Sequence, residues 1–242
     1  MRTINQILIF DKCKAVIEKM PRLFMFIQRL RHFNRPSYKR LASRSHDLLI
    51  EGFPRSSNSF FVKALSQANN LLDLKIATHF HSSAHVLMGV KYNLPVVVLI
   101  RNPSDAVFSL LAHGFQLGII TECSKKDEEL LLRSSLKQYL SFYKPLLHSK
   151  NILFIRFEEV INNFDKTIDK LNKRFSTSYN SLSDNGITND DVFNSSNQHL
   201  HPSKWRDEKK INLLENHNLL LWDEYVSAFH LYEQLIKENK LV

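Results

Sequence analysis

A change of backbone regime within a few residues constrains this chain more than any other feature. Between Asp47 and Leu72, DLLIEGFPRSSNSFFVKALSQANNLL, the apolar run Leu48, Leu49, Ile50 has the length of a buried strand. Gly52 and Pro54 end it, and Phe61, Ala64, Leu65, Ala68 and Leu72 then recur at helical spacing. The sequence therefore predicts a strand, a tight polar loop and a helix in immediate succession. Such a junction leaves backbone N–H groups unpaired and pointing one way, with the positive end of the helix dipole behind them, which suits a phosphate or sulfate. Arg55 adds a permanent charge and a planar donor fork, and Ser56, Ser57, Asn58 and Ser59 add small donors. The same residues would equally serve as ordinary helix caps, and this stretch alone leaves both readings open.

A second junction lies at Val96 to His113, VVVLIRNPSDAVFSLLAH, where a strand empties into Arg101-Asn102-Pro103 and a helix follows, with Ser109 eight positions after the arginine. Together, GFPRSSNSF and LIRNPSDAVFS resemble the two cofactor-binding signatures of the sulfotransferases that use 3′-phosphoadenosine 5′-phosphosulfate (PAPS). The resemblance covers roughly residues 47–175 well and the two ends weakly. It implies an α/β fold, a three-layer α/β/α sandwich with a central, mainly parallel sheet of the P-loop-containing nucleoside triphosphate hydrolase type. It also implies that the turn from Arg55 through Ser56, Ser57, Asn58, Ser59 and Phe60 wraps the 5′-phosphosulfate, while Arg101 and Ser109 bind the 3′-phosphate at a separate site. The product would be 3′-phosphoadenosine 5′-phosphate (PAP), and no metal is expected. This chain departs from the family pattern in places. Ser57 stands where the loop usually has Gly, a position where close approach or unusual dihedrals favour a residue without Cβ. Asn58 and Ser59 replace a Thr pair but keep donors for an oxyanion.

Between the two junctions, Asp73 to Phe80, DLKIATHF, reads as a strand leading into His79, Phe80, His81, Ser82 and Ser83. If the extended conformation persists, alternation places His79 and His81 on one side. The family's matching stretch is Lys-Thr-His-Leu-Pro, whose His is the base. Laying HSSAHVL on that pattern makes His81 the base and puts His79 at the family's Lys; an alignment shifted by two residues makes His79 the base instead. His85, on the following helix, is expected to be a bystander.

Charge is concentrated at one end. Residues 1–46 hold eleven Lys or Arg against Asp11 and Glu18, an excess of nine that equals the formal +9 of the whole chain. Apolar clusters Ile7 to Phe10 and Leu23 to Ile27 are interrupted by Lys12, Lys14, Pro21 and Arg22, so no run approaches the ~20 residues of a membrane span, and no secretory signal is expected. Such a basic segment either contacts an anionic membrane surface or docks on its own domain with a solvated basic face. With only Cys13 and Cys123, no disulfide framework is available, and the expected location is cytoplasmic.

Further along, Lys125 to Leu140 reads as a long helix ended by Pro145, and NILFIRF at Asn151 to Phe157 as another buried strand. Ile161, Phe164, Ile168, Leu171 and Phe175 give a helical stripe. Phe157-Glu158 stands where the family has Tyr-Glu, so the ring that helps bind the adenine is present without its hydroxyl. Residues 176–200 turn to Ser, Asn, Asp and Thr with no Lys or Arg, the signature of a mobile loop or lid. The family's later Arg-Lys-Gly triplet is absent, and Arg206 is the candidate for its role over the 3′-phosphate. A terminal helix is expected over Ile211 to Lys237. The organisation expected is one domain: a basic segment 1–46, an α/β core 47–175, a polar loop 176–200 and a helical part 201–242.

These features point to transfer of a sulfuryl group from PAPS to an acceptor hydroxyl or amine, with His81 or His79 as base and Arg55 neutralising charge on the leaving phosphate. A phosphoryl-transferring kinase on the same sheet type would ordinarily carry Gly-x-x-x-x-Gly-Lys-Ser/Thr and an acidic magnesium partner; neither is found. A sulfotransferase-like nucleotide binder with weak turnover is the second alternative, kept open by Ser57. Nucleic acid is not expected as a partner, because the basic excess sits in one segment instead of forming an extended face.

Overall fold

The computed structural model describes residues 3–69, 74–121, 123–194 and 203–239. Helices α1 (Ile4–Glu18) and α2 (Pro21–His32) and a 3-10 turn (Pro36–Arg40) precede the first strand, β1 (Leu48–Gly52). Then come α3 (Asn58–Ala68), β2 (Ile76–Thr78), α4 (Ser83–Lys91), β3 (Val96–Ile100), α5 (Pro103–Gln116), α6 (Lys125–Tyr143) and β4 (Leu153–Arg156). Helices α7 (Phe157–Asn162), α8 (Phe164–Phe175), α9 (Asn189–Asn194), α10 (Lys204–Asn216) and α11 (Asp223–Asn239) follow.

The four strands form one parallel sheet in the order β2-β1-β3-β4. Their continuous apolar runs follow from burial on both faces. Leu49, Val96, Val98 and Ile100 face a core built with α4, α5, α6 and α11. Their neighbours Leu48, Ile50, Val97 and Leu99 face a second core built with α3, α8 and α9. Two helical layers around an α/β sheet are what the paired strand–helix junctions predicted. Chain order reverses between β1 and β3, so their carboxyl ends open the crevice where ligands bind in sheets of this kind.

Several boundaries differ from the sequence reading. The expected strand Asp73 to Phe80 is only Ile76–Thr78, because His79 and His81 adopt left-handed backbone with φ of 67° and 47°. Leu72 and Asp73 lie outside the described residues. The stripe from Ile161 to Phe175 breaks at Asn163 (φ −147°, ψ 55°), and the single helix expected over Ile211 to Lys237 divides into α10 and α11 around a 3-10 turn, Leu219–Leu221. The polar segment is not a bare loop over its described part, 176–194: it carries a 3-10 turn (Ser183–Asn185) and α9, with Leu182 and Val192 buried. Side chains of α8 and of the segment itself hold its backbone. Asn172 Oδ1 accepts from the Tyr179 N–H at 2.9 Å, Asp165 from Leu182 N–H at 2.9 Å, and Asp191 from Thr188 N–H at 2.8 Å. Residues 195–200 lie outside the described set.

Gly52 marks the closest backbone approach. A Cβ there would sit 2.7 Å from the Leu99 carbonyl oxygen and 2.8 Å from Asn58 Oδ1. Gly52→Ala is therefore expected to destabilise the fold by about 1–3 kcal/mol, read as a lower urea midpoint; an unchanged midpoint would show that β1 and β3 can separate without cost.

Candidate active site

The loop after β1 keeps the helix end open. Ser57 sits left-handed (φ 70°, ψ 18°) before α3 and makes no side-chain cap; its hydroxyl turns back to its own neighbour, the Ser56 carbonyl, at 2.5 Å. Arg55 is also left-handed (φ 72°). Among the described residues the N–H groups of Asn58, Ser59 and Phe60 take no partner, so the capping alternative fails and these donors are free for an anion. The backbone here takes the shape that favours Gly, and Ser57 adopts it with its side chain folded away. The loop is anchored by Tyr143, whose hydroxyl accepts from the Phe53 N–H at 3.1 Å and donates to the Leu99 carbonyl at 2.7 Å. That hydroxyl ties the ends of β1 and β3 together.

Cations converge beside the loop. Arg55 Nε donates to Ser109 Oγ at 3.2 Å, and Arg101 Nη1 donates to the Arg55 carbonyl at 2.8 Å. The two anion sites expected to be separate are thus in contact. Arg206, buried on α10, joins them: burial first, then the Arg206 and Arg101 charges, push Arg55 down to about 10. It stays charged at neutral pH. Burial likewise lowers Arg101, against the pull of Asp105 and Glu158. The Arg101 guanidinium lies 4.0 Å from the centre of the Phe157 ring, and its Nε is buried without a partner. Three guanidinia, one with a buried orphan donor, form a cationic cluster that an anionic ligand would complete. Phe60 stays out of it, buried in the core against Phe164 and Phe193 with ring centroids 6.1 and 4.9 Å away.

On the other side of α3 stand the imidazoles. His79 Nε2 is 2.9 Å from Ser59 Oγ, and the His79 and His81 rings meet edge to face at 5.9 Å. The pair forms because both residues turn back after β2, and strand alternation plays no part. His81 Nδ1 is 2.8 Å from the Gly52 carbonyl oxygen, which must accept from it; this fixes the ring proton on Nδ1 and leaves the Nε2 lone pair available. The group holding this segment is one that sequence reading missed. Glu51, fully buried in β1, accepts from the N–H groups of Phe80 at 2.7 Å and His81 at 3.0 Å, and from His85 Nδ1 at 2.9 Å. His85 in turn accepts the Ala42 N–H on Nε2 at 2.8 Å. It is therefore no bystander but a fully buried bridge. The only hint was a charged residue at the end of an apolar run. Lys14, also missed, donates from α1 to the His81 carbonyl at 2.9 Å.

A cavity of about 330 Å³ opens against His79. Phe10 and Ile17 of α1, Phe24 and Ile27 of α2, and Thr78, His79 and Phe80 line it, with Arg31 and Arg40 at its polar side. His79 faces it; His81 does not line it.

Residues 14–220 match the family model described as the sulfotransferase domain. The chain belongs to that family, and the protein is a sulfotransferase. Among solved structures its fold is similar to mouse sulfotransferase SULT7A1 complexed with PAP, at 15% sequence identity and a TM-score of 0.50, over 84% of this chain and 86% of that one. No curated protein matches the chain.

Burial, and after it the neighbouring His81, push the His79 imidazole from its ordinary 6.5 to about 4. Burial also lowers His81, outweighing the attraction of Glu51. Between pH 6.5 and 4 the unfolded chain binds protons that the native chain refuses, so stability should fall as pH is lowered through that window. His79→Gln should flatten the slope. Urea midpoints measured against pH would check this, and a variant tracking wild type throughout would contradict it.

Proposed function

We propose that this sulfotransferase takes its sulfuryl group from PAPS and delivers it to a hydroxyl or amine acceptor, with a histidine as general base. The observation that carries the reading is the meeting of Arg55, Arg101, Arg206 and Ser109 at the ends of β1 and β3, beside two imidazoles. The open N–H groups of α3 and Arg55 would hold the 5′-phosphosulfate. Arg101, Ser109 and Arg206 would hold the 3′-phosphate, and the Phe157 ring, stacked on Arg101, would pack on the base. The acceptor oxygen or nitrogen attacks sulfur in line, the sulfur–oxygen bond to the phosphate breaks, and its electron pair leaves on PAP. The acceptor proton passes to the imidazole. PAP in the SULT7A1 structure supports this choice of nucleotide for the shared fold.

Between the two histidines, the cavity favours His79. It lines the space from which an acceptor would approach, whereas His81 does not line it. The base therefore moves from His81, the sequence-based choice, to the alternative alignment, with His81 as its neighbour. The apolar walls contributed by Phe10, Ile17, Phe24 and Ile27 suit an acceptor with an apolar body. A single domain, a cytoplasmic location and peripheral contact of residues 1–46 with an anionic membrane belong to the same reading.

His79→Ala should lower sulfuryl transfer by roughly 10²–10⁴-fold while PAP affinity stays within a few-fold, and His81→Ala should cost less. The opposite ranking returns the base to His81, and full activity in both variants refutes an imidazole base. Arg101→Ala should abolish the preference for PAP over the nucleotide lacking its 3′-phosphate, a loss of about one to two decades in affinity by calorimetry. Unchanged PAP affinity in that variant would remove the 3′-phosphate assignment.

A further inference from the structure

Helix α1 is apolar on two faces. Ile4, Ile7 and Ile17 pack on the core, yet Ile9 (61% exposed) and Val16, with Met20 just beyond the helix, are exposed on the opposite side. Helix α2 repeats the arrangement: Phe24 and Met25 are buried, while Leu23, Phe26 (59%) and Leu30 (65%), with Phe33 (67%) just beyond the helix, are exposed. Positions 23, 26, 30 and 33 follow one helical stripe, as do 9, 16 and 20. A helix docked on its own domain with a solvated basic face would not need these outward residues.

The charges complete the pattern. Lys12 and Lys19 flank the outer stripe of α1, and Arg22 and Arg29 that of α2. The two acids of residues 1–46 both turn away from it. Asp11 Oδ2 accepts from Ser134 at 2.9 Å and Gln138 at 2.8 Å on α6, and Glu18 is buried. The outer face is therefore apolar with cations alone, and a second copy of this chain laid against it would oppose like charges. Among the described residues no helix is long and apolar enough to cross a membrane.

We infer that the outward faces of α1 and α2 form one docking surface for an anionic lipid bilayer, lying in the headgroup region with the apolar stripes inserted and the Lys and Arg residues against acidic headgroups. This names the surface behind the membrane contact proposed above and does not depend on the donor nucleotide. The inner faces of the same helices wall the cavity beside His79, so docking would bring that cavity to the interface.

The test is co-flotation of the full chain with phosphatidylcholine vesicles with and without phosphatidylserine. Binding is expected only with phosphatidylserine, weakening as salt is raised. Arg22→Glu with Arg29→Glu should weaken it at least about tenfold, as should Phe26→Ser with Leu30→Ser. Both double variants should keep the wild-type melting temperature and PAP-induced thermal shift, which separates loss of docking from loss of the fold or of the nucleotide site. Equal flotation with and without phosphatidylserine, or binding untouched by either double variant, overturns the proposal. So does a wild-type dimer in light scattering that Phe26→Ser with Leu30→Ser dissolves, since that would assign the face to a second copy.

Discussion

A carboxylate buried in the central strand is the interaction on which the presentation of His79 and His81 depends. Burial alone would raise the Glu51 carboxyl, yet the hydrogen bond from His85 and the neighbouring imidazoles hold it below its ordinary value. A buried charge is tolerable only when its lone pairs are filled, and here the N–H groups of Phe80 and His81 and the His85 ring fill them. The same bonds hold two non-glycine residues, His79 and His81, in left-handed backbone that would otherwise be costly. One carboxylate thus converts a short strand end into a fixed presentation of imidazoles. Through His85 it also fastens the segment at Ala42, just after the N-terminal helices.

The arginine cluster obeys the opposite electrostatic logic. Glu51 is satisfied by the protein itself, whereas the Arg206 and Arg101 charges lower Arg55, the Arg206 charge lowers Arg101, and the Arg101 Nε is left buried and unmatched. Their repulsion is tolerated because rigid elements from distant parts of the chain impose it. Tyr143 clamps the ends of β1 and β3, the Tyr139 hydroxyl donates to the Arg101 carbonyl at 2.8 Å, and α10 delivers Arg206. Cations held in place by rigid elements suit an anion without having to reorganise.

Much of this was written locally. The run Leu48 to Ile50 followed by Gly52 and Pro54, and Val96 to Ile100 followed by Pro103, fixed two strand–helix junctions and with them the parallel sheet, because burial on both faces demands continuous apolar strands. Arg55, Arg101 and Ser109 were legible for the same reason: they lie within a few residues of those junctions. What lay beyond local pattern was decided by packing. Asn163 interrupts an unbroken apolar stripe, and Asn172 and Asp165 of α8 together with Asp191 hold the backbone of 176–194 where composition suggested a loose loop.

The sequence by itself determined the two strand–helix junctions, the arginines placed at them and the concentration of cations in residues 1–46, since each depends on neighbours within a turn or two. Only the tertiary structure decided that Arg55 touches Ser109, that His79 and not His81 faces the cavity, and that Glu51 and His85 bridge β1, α4 and the N-terminal segment. It alone also showed that α1 and α2 carry apolar residues outward while Asp11 and Glu18 turn inward. Those facts depend on contacts between residues tens of positions apart, and periodicity carries no information about which distant group will fill a buried lone pair.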